Sequence, residues 1–250
     1  MALGLNHNQF GFDSARWVQP AQRTIAKPAS PIATLILSTI LIAVMIVESL
    51  LSTGQLIAMA DALGLRSTAW SWTDVSGYAP IFTHTLLHGS SGHFFWNAMM
   101  LVLVGTAVEW RLGWRVVGGL FIVGAVVTGL SHLLMFPAEA RPLIGASGIV
   151  STMFGVIFIV AGDFGFRVRI PRTARWLRLN VRRPLCVWVM FQVIQLVGVL
   201  TTPGEPLSVA YWSHLAGFGA GVVAGILYMY TRRDTAAQPG PVAALGSAGD

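Results

Sequence analysis

Charge is scarce in this chain: only 10% of its 250 residues are Asp, Glu, Lys or Arg, against 54% hydrophobic residues and a mean hydropathy of +0.67. So little charge cannot cover the surface of a soluble domain, and the class that remains is an integral membrane protein. Cysteine is nearly absent too. The single Cys186 has no second thiol to pair with, which excludes a disulfide and a thiolate metal cluster and leaves a small buried residue in an apolar segment. Carboxylates are missing from the middle of the apolar runs, since Glu48, Glu109 and Asp163 all lie near run ends, so no aspartate is placed to complete a catalytic triad. Charges along a pathway and an internal repeat are also missing, which argues against a small-solute transporter.

The charge that is present carries topological information. A net charge of +6 would suit nucleic acid, but the basic residues cluster at the ends of apolar runs, as on the cytoplasmic flanks of membrane helices, and no nucleic-acid partner is implied. Apolar runs at 31–51, 94–108, 116–135, 148–161, 185–200 and 209–230 predict an all-α polytopic protein with six transmembrane helices. Alternating their ends puts every one of the 16 basic residues except Arg66 and Arg141 on the side of the N-terminal tail, which predicts a multi-pass cell-membrane protein with both termini cytoplasmic. The expected organisation is a cytoplasmic tail over 1–30, a membrane domain over 31–231 and a disordered cytoplasmic tail over 232–250. Ala58-Met59-Ala60 resembles a signal-peptidase site, but the preceding polar and apolar stretches are too long for a signal peptide, so an uncleaved first helix is expected. The 52–92 connection holds Trp70, Trp72 and Tyr78, aromatics that favour the headgroup level.

One stretch, LIGASGIVSTMFGVIFIVA over 143–161, opens an apolar helix with a serine between glycines. Gly145 and Gly148 let the backbone turn tightly, and the first amide N–H groups of the helix, including that of Ser147, are left without partners inside it. Two readings apply to Ser147: close packing of small residues, or a nucleophile beside an oxyanion site. A serine nucleophile needs a base, usually histidine. His214 stands in YWSHLAGFGAGVVAGIL, with Gly217, Gly221 and Gly225 on its own helical face, while the serine helix carries Ser147, Ser151 and Gly155 at matching steps of four. Packing these faces together brings Ser147 and His214 to one depth. The bland reading of His214, an interfacial histidine beside Trp212, is weaker because ionisable groups within a membrane mark functional sites by default. His93 and Asn97 share a face at the outer start of another helix, where their donors could serve an oxyanion. His132, near the outer end of the third run, is read as interfacial. His84, His88 and His93 could be read as a zinc site, but His93 lies off the face of the other two and no HExxH or nearby carboxylate supplies a base, so neither metal nor cofactor is expected.

From about 81 to 230 the chain resembles the rhomboid family of intramembrane serine proteases, through FTHTLLH, His93 with Asn97, GTAVEWRLG, GASG, and His214 followed by Gly217 and Gly221 in that order. The resemblance implies a compact six-helix bundle, Ser147 as nucleophile, His214 as base, and His93, Asn97 and the Ser147 amide as oxyanion donors. It also implies that His88 is a structural histidine of the same network, that Glu109 and Arg111 fix the loop to the third helix, and that the site opens to the extracytoplasmic side. Implied partners are transmembrane protein substrates within the lipid bilayer; the oligomeric state is left open. An inactive, helix-binding relative is the alternative. Two departures stand out. Ala79-Pro80 replace a frequent Trp-Arg, and Ser151 stands where a tyrosine usually packs on the catalytic imidazole, leaving the base to be oriented by packing, with closer helix contact or Phe154 as the compensating features.

Overall fold

The computed structural model describes residues 30–160, 166–169, 176–179, 181–202 and 210–237. Most of the two expected tails, Asp163 and Arg175 lie outside the described residues. The architecture is a polytopic helical bundle. In chain order it comprises α1 (Ile32–Leu50), α2 (Thr53–Leu63), α3 (Ser91–Leu112), α4 (Trp114–Met135), α5 (Ser147–Val160), α6 (Arg182–Thr201) and α7 (Tyr211–Ala237). Five of these, α1, α3, α4, α6 and α7, are long and apolar enough to cross a membrane, and α5 is a shorter apolar helix.

Some local features differ from the sequence reading. The 52–92 connection contains α2, launched by Ser52, whose backbone N–H and hydroxyl both donate to Gln55 Oε1 at 2.9 Å in a capping box. Strands β1 (Phe166–Arg169) and β2 (Trp176–Leu179) pair antiparallel in the arginine-rich connection, a small addition to the helical bundle. The first, FRVR, alternates apolar and basic residues with the strand period of two, a pattern obscured when the arginines are counted only as charge. Helix α7 continues past 231 to Ala237. Cys186 is exposed rather than buried, on a helix whose Val187, Met190, Phe191 and Ile194 are exposed as well; in lipid an apolar face turned outward needs no cover.

The core is organised around α5, of whose 14 residues only Ser147, Phe154, Phe158 and Ile159 are not fully buried. Helix α7 lies against it backbone to backbone: a Cβ on Gly155 would run into Phe218 O and Val222 N, and one on Gly221 into Thr152 O. A helix in lipid gains little from apolar contact alone, so such small-residue seams, with their dispersion contacts, define the packing. The last carbonyls of α5 are satisfied from α6, where Arg182 Nε donates to Phe158 O at 2.9 Å and its Nη2 to Ile159 O at 3.0 Å.

Helix α1 is anchored through a carboxylate. Glu109 on α3 accepts from Ala33 N and Thr34 N, both at 2.8 Å, and from Thr34 Oγ1 at 2.7 Å. It therefore caps the N-terminus of the first helix, a different task from fixing the loop to the third. The negative group meets the orphan amides and the positive end of the helix dipole. Gly105 lies in a π-helical turn over Leu101–Gly105, and a Cβ there would sit 3.0 Å from the Thr34 side chain, so the close approach of α1 and α3 needs glycine. Glu109→Ala is expected to lower the thermal unfolding transition in detergent, at a cost of about 3 kcal/mol for losing charge-assisted hydrogen bonds to buried amides. An unchanged transition would mean that α1 is anchored elsewhere.

Candidate functional site

The segment entering α5 is fixed before the helix begins. Leu143 exchanges backbone hydrogen bonds with Leu65, at 3.1 and 2.8 Å, and Gly145 N donates to His84 O at 2.8 Å. Gly145 has φ +117°, a conformation that suits glycine, and directs the chain so that Ser147 is the first residue of α5. Helix α7 brings His214 to the same level. A Cβ on Gly217 would lie 2.6 Å from Gly148 O, and Ser213 Oγ donates to Thr128 O of α4 at 3.2 Å, so α4, α5 and α7 meet closely around the serine.

Ser147 Oγ and His214 Nε2 are 2.7 Å apart. On its other side the imidazole is engaged by α6, with Gln192 Oε1 2.9 Å from Nδ1. An amide oxygen can only accept, so Nδ1 carries the proton, and the bare Nε2 accepts from the serine hydroxyl. Trp188, one turn before Gln192, lies beside the same ring with centroids 6.3 Å apart. It is held edge-on by Phe154 at 5.3 Å. The Ser151 hydroxyl donates to Ser147 O at 2.6 Å. The aromatic wall that a tyrosine at 151 would supply is thus provided from α6.

His93 and Asn97 converge on the same place from α3. A Cβ on Gly145 would lie 2.8 Å from His93 Nε2 and 3.7 Å from Asn97 Nδ2. Asn97 is buried, and its Nδ2 has no hydrogen-bond partner, an unused donor at the mouth of the serine helix. His93 is different. Its Nδ1 lies 2.9 Å from His88 O, so the proton there is committed, and the ring donates from Nε2 only as an imidazolium. His88 is buried behind it, with the rings 5.2 Å apart and edge to face. The turn bearing His88 hangs on α1: Glu48 Oε1 accepts from His88 N at 3.0 Å and from Gly89 N at 3.4 Å. The Nδ1 atoms of His84 and His88 face the carbonyls of Pro80 and Leu86 at 2.8 and 3.2 Å.

A cavity of about 490 Å³ opens onto Ser147, His214 and His93, with Glu139 and Arg141 at its border. His132 also lines it and is buried rather than interfacial, with both ring nitrogens unpartnered. Glu48, Gln192 and Trp188 were missed in the sequence. Gln192 carries a visible signal, as a polar residue inside the apolar run LCVWVMFQVIQLVGVL, but a neutral amide lacks the titratable character that marks histidines and carboxylates as partners. Compared with known families, the chain matches the model of the rhomboid domain over residues 75–231, which takes in α3 to most of α7 and every site residue from His84 to His214.

Burial lowers the pKa of both His84 and His88 to about 4 from 6.5, helped by the neighbouring His132 and His93 respectively. Both rings are neutral in the folded protein, so between pH 6.5 and about 4 the unfolded chain binds more protons than the folded one. The stability due to these two groups is whole above that window and is lost as pH falls through it. Thermal unfolding in detergent should therefore fall on acidification, and less steeply in a His84→Gln, His88→Gln double variant. Equal slopes would assign the acid sensitivity to other groups.

Proposed function

The chain belongs to the rhomboid family, and on that premise we propose that it is an intramembrane serine endopeptidase that cleaves transmembrane segments of membrane proteins. The observation that carries this reading is the 2.7 Å contact between Ser147 Oγ and the bare Nε2 of His214. In the proposed reaction Nε2 takes the hydroxyl proton as Oγ bonds to the substrate carbonyl carbon, and the carbonyl oxygen becomes an oxyanion. The Ser147 amide and Asn97 Nδ2 donate to that oxygen, and His93 joins them from Nε2 when its ring is protonated. Nε2–H then passes the proton to the leaving nitrogen, and the acyl group stays on Oγ. Water enters through the cavity, gives a proton to Nε2 and attacks the ester, and the serine is restored. The peptide bond must first leave its helical hydrogen bond, so substrates with unstable helices and small residues at the cut are expected.

The distribution of basic residues supports cytoplasmic termini and a cavity opening to the extracytoplasmic side. A cysteine introduced at Arg175 should be shielded from an impermeant thiol reagent in intact cells, while one at Thr202 should react. The reverse pattern would invert the topology.

Ser147→Ala and His214→Ala should each abolish cleavage of a transmembrane substrate in proteoliposomes while leaving insertion intact, because nucleophile and base act as one unit. Asn97→Ala should lower turnover on the order of 10²-fold. A serine-directed fluorophosphonate should label only protein with Ser147 intact. Absence of both labelling and cleavage in the unchanged protein would favour a rhomboid-like protein that binds membrane helices without cutting them.

A further inference from the structure

The imidazole of His214 is held by more than packing. Gln192 is one of only three buried residues on α6, the others being Leu185 and Leu196, and is 5% exposed. A buried amide in an otherwise apolar helix carries a desolvation cost unless its polar atoms are used. Here Oε1 is used, 2.9 Å from His214 Nδ1. Trp188 and Gln192 are four residues apart and so share a helical face, and both meet the same ring, one as an apolar wall and the other as an acceptor.

We propose that Gln192 is a positioning residue for the general base, fixing the Nδ1–H tautomer of His214 so that Nε2 faces Ser147 as an acceptor. This rests on the proteolytic reading. Without an acceptor at Nδ1, the ring is free to take the other tautomer, whose Nε2–H cannot receive the serine proton, or to rotate away from Oγ. Gln192 is suited to the place because a neutral acceptor orients the ring without adding a charge to a low-dielectric site. Its role differs from that of a triad carboxylate in this respect: it selects the tautomer but does not balance a developing imidazolium charge.

The test uses the full-length chain in detergent and in proteoliposomes, with Gln192→Leu, Gln192→Asn and Gln192→Glu. Leucine keeps the bulk and removes the acceptor, asparagine withdraws it by one methylene, and glutamate keeps an acceptor at the same reach. The Leu and Asn variants should lose about tenfold or more in kcat, the worth of one buried hydrogen bond, with KM little changed. Fluorophosphonate labelling of Ser147 should slow in parallel, and Glu should restore much of both. If Leu and Asn cleave and label at the parental rate, the inference is overturned. Should Leu prove unstable, Asn and Glu carry the comparison. The ¹⁵N spectrum of histidine-labelled protein, with His214→Ala for assignment, reads the tautomer without any turnover. A protonated Nδ1 with a bare Nε2 in the parental protein that is lost in Gln192→Asn supports the inference; the opposite tautomer in the parent, or one unmoved by the substitution, overturns it. Because that spectrum does not depend on cleavage, a protein that cuts nothing would refute the proteolytic reading while still deciding the place of Gln192.

Discussion

Contact between the backbones of α5 and α7 is the constraint on which the rest of this structure depends. A Cβ on Gly155 or Gly221 would collide with carbonyl groups of the opposing helix, and the same seam continues upward to Gly148 and Gly217. In lipid, where apolar side chains find equally apolar company outside the bundle, such contact is gained by removing side chains rather than adding them. The seam sets the separation of the two helix axes, and that separation sets the reach from Ser147 to His214. A hydrogen bond of 2.7 Å between side chains on different helices leaves little tolerance for a bulkier residue one turn below.

The shortness of α5 follows from the same requirement. The 14 described residues of α5 span about 21 Å, against an apolar bilayer core of about 30 Å, and a helix of that length lying across a bilayer has at least one end at membrane depth. Unsatisfied backbone groups are not tolerated there unless protein or water serves them. At the C-terminal end the Arg182 guanidinium bonds the last carbonyls. At the other end the segment is tied through Leu143 to Leu65 and through Gly145 to His84, and a cavity adjoins Ser147. Protein contacts and an adjoining cavity thus serve the backbone at both ends of the described helix.

Local pattern revealed much of this, and long-range pairing did not. The apolar runs, the glycine spacing after His214 and the i to i+4 pairing of His93 with Asn97 are properties of single helices, legible from period alone. Glu48 and Glu109 were visible only as carboxylates near run ends. Their partners, the amides of His88 and of Ala33 and Thr34, lie far away in sequence and are backbone groups, which leave no mark on composition. Gln192 escaped for a related reason. A neutral amide does not stand out as a titratable partner, and its contact with His214 requires knowing how α6 is rotated against α7. The β1–β2 pairing was hidden in another way, the alternation of β1 being masked by arginines that mark topology.

His214 and His93 are thus each held by a neighbour on a different element, and the chain of support reaches α1. Asn97 and His93 sit on α3, but the carbonyl that receives His93 Nδ1–H belongs to the turn at His88, whose own amide is held by Glu48 at the C-terminal end of α1. At its N-terminal end α1 is held by Glu109 from α3. A chain with so few acidic residues commits two of them, both buried, to fixing one helix at its two ends. Burying a carboxylate costs several kcal/mol, and packed apolar residues could bind the helix as firmly, so tight binding alone does not explain the choice. What the carboxylates add is direction. An apolar contact tolerates sliding and rotation, whereas a carboxylate bonded to a pair of adjacent backbone N–H groups fixes register, and through His88 and His93 that register reaches the place where an oxyanion would form.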